Sequence, residues 1–304
     1  MDRKILFFIN PISGTKNKLT LEKRITKECG QRSVSFEILF TSKEGNYAFL
    51  KERTEREEFT DVVICGGDGS IAPVVAALLN TSIHIGIIPL GSGNGLAATA
   101  GIPQSLTKAI QNIFEGVPTS TDAFVVNNQL GCHLTGLGFD AKISYEFSRQ
   151  RIRGVNTYIK QIIKHFFFEK FFSFQVESNG KIFTEKAFMI SVANSNQFGN
   201  NFKIAPKASL NDGLLDVVII KKNTKLVIFI KMLKHILIGK VRNNFGGGNS
   251  DCVIYFQTKK LIIKNPDNAP FQIDGDPAPT GKEFTIEILP AAFKLIKPGQ
   301  SNLQ

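Results

Sequence analysis

VVICGGDGSIAPVVAALL (Val62–Leu79) opens as a run of β-branched residues and closes as a run suited to a helix, with three glycines and one carboxylate, Asp68, between them. A buried strand feeding a helix through a glycine turn is the unit from which parallel sheets are built. Glycines tighten such a turn and bare its backbone amides, which suits an anion. An acid at the centre of that loop is therefore out of place unless a cation arrives with the anion.

The stretches around it repeat the pattern. KILFFIN (4–10), SVSFEILF (33–40) and IHIGIIPLG (83–91) read as strands, IAPVVAALL (71–79) and AFLKERTEREE (48–58) as helices. Strands alternating with helices predict a parallel sheet covered on both faces, with ligands gathered at the carboxyl ends of its strands. After Asp122 the character changes to short strands joined by turns: AFVVNNQLGCHLTGLG, FFSFQVESNGKIFTEKAFMISVAN, LLDVVIIKK, CVIYFQTKKLIIK, FQIDGD and FTIEILP. Asn179-Gly180 is a strong hairpin signal, because both residues tolerate positive φ. Helical stretches are expected at 158–168 and 225–238. The expected fold is α/β plus β, with an α/β domain over 1–122 and an antiparallel β-sandwich over 123–304 whose last segment has the option of returning to the first domain.

Three glycine turns follow strands in the first half: Asn10 to Gly14, Gly66 to Ser70 (Gly66, Gly67, Asp68, Gly69, Ser70), and Gly91 to Gly95, which includes Ser92 and Asn94. All three are expected at one edge of the sheet, and two of them open helices, whose first amides favour phosphate. Together they point to a nucleotide or polyphosphate site. Every Gly-Lys pair is followed by Ile, Val or Glu, so no P-loop lysine motif is present. The protein-kinase triplets HRD and DFG are also missing. Gly136 to Ala141 spells GxGxxA, but among antiparallel signals it does not read as a dinucleotide fingerprint.

The order and spacing of INPISG, GGDGSIAPVV, IPLGSGNGLA, NDGLLDV and IDGDP resemble the diacylglycerol kinase catalytic family, which includes bacterial lipid kinases and sphingosine kinases and is distantly similar to NAD kinases. The resemblance covers nearly the whole chain. It implies ATP as phosphate donor and Mg2+, which accounts for Asp68: a carboxylate beside phosphate-cradling amides can hold the metal or its waters. It places Thr41 and Ser92 in the nucleotide site, and makes Asp274 the general base with Asp276 as its acidic partner. The prolines at 277 and 279 are expected to stop the strand there. The resemblance makes Ser209, Asp212 and Leu214 ligands of a structural Mg2+, adds Asp122 to the catalytic metal network, and sets Asp140 against a lipid head group. Asn94-Gly95 stands where many bacterial members have Asn-Asp, so one carboxylate of that network is missing.

The chain has 304 residues and a net charge of +11. Residues 151–242 hold 16 Lys+Arg against 5 Asp+Glu, and the remainder balances at 21 against 21. The excess predicts an anionic surface facing that region, and KLVIFIKMLKHILIGK (225–240) mixes apolar residues and lysines as an interfacial helix does. Four scattered cysteines without a CxxC pair read as reduced thiols. The four histidines show no ligand spacing. The expectation is a cytoplasmic ATP-dependent lipid kinase, peripheral at the inner membrane face, with a lipid substrate, no nucleic acid, and a homodimer left open. The rivals are an NAD kinase, disfavoured because no Asn-Glu pair occurs, and a non-catalytic nucleotide or lipid sensor.

Overall fold

The computed structural model describes residues 2–14, 18–42, 47–148, 161–162, 164–198, 203–230 and 252–299. The chain divides into two compact units, 1–121 with 291–304, and 122–290.

The first unit runs β1 (Lys4–Ile9), α1 (Lys18–Gln31), β2 (Ser35–Phe40), α2 (Phe49–Arg56), β3 (Asp61–Gly66), a 3-10 turn (Asp68–Ser70), α3 (Ile71–Ala77), β4 (His84–Pro89), α4 (Gly95–Thr99) and α5 (Leu106–Glu115). β2, β1, β3 and β4 lie side by side and parallel. The end of the last strand joins the row through Lys294 and Leu295, opposite His84 and Ile85 of β4. β3 is buried at all six positions, as a strand covered on both faces must be. Full burial of each Val or Ile there contributes roughly 1.5–3 kcal/mol. Arg3 ties the base of this sheet: its guanidinium donates to both oxygens of buried Asp61, at 2.9 and 3.0 Å, and to the carbonyl of Ile113 at 2.6 Å.

The second unit takes up the chain within β5 (Val117–Val126) and continues with β6 (Gln129–Gly131), β7 (Leu134–Gly138), α6 (Phe139–Ser148), β8 (Phe172–Ser178), β9 (Lys181–Ala193), β10 (Leu215–Lys221), β11 (Val253–Thr258), β12 (Lys260–Lys264), β13 (Phe271–Ile273), β14 (Asp276–Ala278) and β15 (Glu283–Lys297), the last passing back to the first unit at Ala291. Its strands pair antiparallel in the order β14-β13-β7-β9-β8-β12-β15, with β10 on β9 and β11 on β10. The β8–β9 turn has positive φ at Asn179 and Gly180, as the Asn-Gly pair demands. One core fills the sandwich around Phe174, Val192, Val217 and Phe256. A second gathers Phe139, Phe166, Phe188 and Ile228 on the other side of β9.

Two local expectations fail. The prolines do not stop the strand after Asp274. β13 turns through Asp274 and Gly275, both at positive φ, and returns as β14, pairing Ile273 with Asp276 and Gln272 with Pro277. β14 ends the row, and an edge strand tolerates a residue without an N–H. The second failure is α6, which begins directly after β7 and had no counterpart in the sequence reading. Of the two expected helical stretches, helical backbone is found at 161–162, 164–166 and 225–230. Phe167 and Phe168 form a turn, and the rest, including Lys160, Lys231, Lys234, His235 and Lys240, lies outside the described residues.

Candidate active site

In the first unit the three glycine turns meet. Asn10 donates from Nδ2 to the Ser70 hydroxyl at 2.8 Å, and its Oδ1 accepts the Ile12 amide at 3.0 Å, which closes the first turn onto the second. Gly14, at φ +62°, lies so close to the third turn that a Cβ would stand 2.2 Å from the Leu90 carbonyl oxygen. A Cβ on Gly91 would stand 2.6 Å from the Cα of Gly67. These glycines are required by close approach of backbone to backbone.

Asp68 binds the second turn to the third. Its Oδ2 accepts the Gly95 amide at 2.9 Å and its Oδ1 the Leu96 amide at 3.1 Å. α4 has no cap of its own: Asn94 sits at φ +53° and makes no side-chain cap. Asp68 supplies the cap from another loop, so those two amides already serve a carboxylate. Asn94 sends Nδ2 to the Gly91 carbonyl at 2.9 Å and to Gln104 at 3.0 Å. Its Oδ1 is buried without a hydrogen-bond partner. A buried acceptor left open among converging glycine turns fits a donor brought by a ligand. Thr41 follows β2 directly, donating its amide to the Ile9 carbonyl at 2.9 Å. Ser92 and Gly69 lie in the turns themselves, half-buried and exposed respectively.

The remaining candidates lie in the second unit. Asp274, nearly buried, aims its carboxylate at the β6–β7 connection. Oδ2 accepts the Cys132 amide at 2.8 Å, and Oδ1 accepts those of His133 at 2.8 Å and Leu134 at 3.1 Å. Its charge adds to burial in pushing the Cys132 thiol well above the usual thiol range. Asp276, opposite Ile273 on β14, is exposed. Asp140 is buried at the start of α6, against Gly136, where any Cβ would collide with its Oδ2. Burial raises its carboxyl to about 7 in spite of hydrogen bonds from the Ala141 amide and Gln272.

Gln272 joins these two acids, and nothing in its sequence setting marked it. Its Nε2 donates to Asp140 at 3.4 Å and its Oε1 accepts the amide of Gly275, beside Asp274, at 2.8 Å. His133, which had no expected role, has its ring against the Ser195 hydroxyl, both buried.

Asp122 falls with the Asp212 loop. It accepts the Gly213 amide at 2.8 Å, while Asp212 accepts the Leu214 amide at 3.1 Å and Ser209 donates to Asn211 at 2.9 Å. Partial burial raises the Asp212 carboxyl, and the neighbouring charge of Asp122 adds to the rise. Two carboxylates held close together are a donor set that a hard cation relieves, and the resemblance names oxygen ligands at this loop. Among the described residues no three His, Cys, Asp or Glu side chains form a complete cage.

The diacylglycerol kinase catalytic domain matches residues 4–126, and the YegS C-terminal NAD kinase beta sandwich-like domain matches residues 134–297. The chain belongs to the lipid kinase family that joins these two domains. It is 28% identical to "Probable lipid kinase YegS" of Shigella flexneri over 88% of each chain. It is 25% identical to the diacylglycerol kinase of Bacillus subtilis, again over 88% of each. A diacylglycerol kinase structure from Bacillus anthracis shares the fold at 20% identity, with a TM-score of 0.74 over 98% of both chains. As a member of this family the lipid kinase is a phosphotransferase, with an α/β domain and an antiparallel β-sandwich. Among its described residues no helix is long and apolar enough to cross a membrane.

Proposed function

We propose that this lipid kinase transfers the γ-phosphate of ATP to the hydroxyl of a lipid acceptor of the diacylglycerol or sphingoid type. The observation that carries the reading is the closure of three glycine turns around Asp68, with the open Asn94 acceptor among them. The amides of Gly67, Gly69 and Gly91 are assigned to phosphate oxygens, and Asn10, Gly14, Thr41, Gly66, Ser70 and Ser92 complete the nucleotide set. Asp68 is assigned to Mg2+, and the bound metal supplies neutralisation of phosphate charge. Asp212 and the carbonyls of Ser209 and Leu214 are assigned to a second, bracing Mg2+; Asp122, which the resemblance gave to the catalytic metal network, is reassigned to this second ion because it accepts the Gly213 amide.

Asp274 is assigned the proton of the acceptor hydroxyl. The alcohol oxygen then bonds to the γ-phosphorus as the bond to the β-phosphate oxygen breaks, and ADP leaves. The three amides on Asp274 hold its carboxylate in a fixed orientation. They also give it a structural task that any test must separate from catalysis. Asp276 stands beside it as the acidic partner, and Asp140 is assigned to the acceptor head group. A cytoplasmic enzyme working at the inner membrane face suits this chemistry.

The test is transfer from γ-labelled ATP to vesicles containing diacylglycerol, sphingosine or ceramide, with NAD as a parallel acceptor. Label is expected on a lipid and is expected to vanish in Asp68→Ala. Label on NAD, or ATP binding without transfer to any acceptor, would overturn the reading.

A further inference from the structure

Two segments of the second unit, distant in sequence, bring apolar side chains to solvent at one place. Helical backbone at 164–166 ends in a turn at Phe167 and Phe168, exposed by 57% and 89%. Helical backbone at 225–230 exposes Leu226, Phe229 and Ile230 by 64%, 45% and 55%. These three stand at i, i+3 and i+4, on one face, while Ile228 is buried in the core behind them.

Lys225 and Phe166 fasten the segments together. The Lys225 ammonium donates to the Glu169 carbonyl at 2.6 Å and stands over the Phe188 and Phe171 rings at 3.8 and 4.6 Å. Phe166 meets Phe229 and Phe167 edge-on, with ring centroids 5.7 and 5.3 Å apart. A single exposed phenylalanine is ordinary, whereas a cluster held out on a packed base marks an interaction surface.

Charge decides the occupant. Lys164, Lys170 and Lys222 are exposed in the same segments, whose one acid, Glu169, is half-buried. They belong to the region that holds 16 Lys+Arg against 5 Asp+Glu. A second copy docking through the same patch would set these lysines against their own kind. Apolar side chains ringed by lysines match the acyl boundary and phosphate level of an anionic bilayer.

We propose that this face seats the protein on an anionic membrane, with Phe167, Phe168, Leu226, Phe229 and Ile230 entering the headgroup–acyl boundary and Lys164, Lys170 and Lys222 at the lipid phosphates. It deepens the kinase reading by naming where the chain meets its acceptor's bilayer, but it rests on this face alone.

The test is flotation of the full chain, without nucleotide, on phosphatidylcholine vesicles with and without phosphatidylglycerol. The native chain is expected to float with phosphatidylglycerol only, and less so at high salt. Phe168→Ser with Phe229→Ser is expected to lower partitioning about tenfold or more. Lys164→Glu with Lys170→Glu is expected to abolish the preference for phosphatidylglycerol. Ile182→Ser, which removes an exposed side chain elsewhere in the unit, is expected to change nothing. An unchanged melting curve shows that each variant is folded. Native partitioning in the double phenylalanine variant, equal loss in Ile182→Ser, or absence of vesicle binding by the native chain would overturn the proposal. So would a native dimer that the phenylalanine variant dissolves while vesicles go unbound. Vesicle binding by a chain that phosphorylates no acceptor, even in detergent micelles, supports the docking face and overturns the kinase reading instead.

Discussion

Asp68 and Gly95 are joined by a hydrogen bond of 2.9 Å from the Gly95 amide to Oδ2. One carboxylate therefore has two tasks, capping α4 from a distant turn and standing in the turn whose amides suit phosphate. Asp68→Ala is expected to cost about 1 kcal/mol of stability through the lost cap, and to lower transfer by more than about 100-fold through the lost metal ligand. Asp68→Asn keeps one acceptor and is expected to melt between the two. Nucleotide titration with and without Mg2+ separates the tasks: if the metal improves binding to Asp68→Ala as much as to the native chain, Asp68 does not hold it.

The close approach of Gly67 and Gly91 makes a second prediction. Gly91→Ala puts a methyl 2.6 Å from the Cα of Gly67 and 2.7 Å from Asn94 Oδ1, so the turns must separate. Nucleotide affinity is expected to fall at least about tenfold. Gly30→Ala, in α1 with nothing within 4 Å of the new carbon, is expected to be stabilising by about 0.5–1 kcal/mol. Equal affinity in the two variants would mean that the packing of these turns is irrelevant to binding.

Asp274 organises the β6–β7 connection as well as lying in the segment assigned to catalysis. Asp274→Ala strips the acceptor from three backbone amides and is expected to destabilise the protein by about 3 kcal/mol or more. Asp276→Ala, on an exposed edge, is expected to change stability by less than about 0.5 kcal/mol. Chemical denaturation of both variants checks this. Identical midpoints would show that the three amides contribute nothing, and a loss of transfer in Asp274→Ala could then be read as chemistry alone.

Burial of Asp140 gives a pH signature. Its carboxyl lies at about 7 in the folded protein, against about 3.9 in an unfolded chain. Between these values the folded state holds a proton that the unfolded state has released. Stability therefore falls as pH rises from about 4 to about 7, and levels off above. Asp140→Asn removes this contribution and is expected to gain stability relative to the native chain at about pH 8, by on the order of a few kcal/mol, and to lose that advantage at about pH 5. Melting curves at the two pH values decide it, and a constant difference between the proteins would refute the buried acid.

All four cysteines are buried, and no disulfide joins any two of them. Burial raises the Cys29 thiol to about 11 and Cys132 higher than an ordinary thiol. Alkylation of the native protein near neutral pH is expected to be slow at both, and to become complete in denaturant. Rapid labelling of Cys132 would show that the β6–β7 connection opens.

Much of the fold was legible because its signals are local. A short apolar run marked β1, β-branched runs ending in glycine marked β3 and β4, and Asn179-Gly180 marked the β8–β9 hairpin. α6 was not legible, since GLGFDA offers no helical period before it begins. Pro277 misled because its cost depends on which edge of a strand faces a neighbour, and among the described residues β14 has a strand neighbour on one side only. Of the site, the glycine turns and the two acids of IDGDP stood out by residue type. The Asp68 cap on α4, the three amides on Asp274 and the bridge through Gln272 did not.

From the chain alone came the alternation of strands and helices in the first half and of short strands in the second, the residues able to hold phosphate, metal or proton, and the stretch that concentrates positive charge. These depend on side-chain type and near-neighbour spacing, which a linear text records. Only the tertiary structure decided which amides each carboxylate satisfies, which glycines are pressed against another backbone, and that Phe167 and Phe229 both stand on Phe166. Each of those is a meeting of residues far apart in the chain, fixed by how the sheets and helices pack and by nothing in the local sequence.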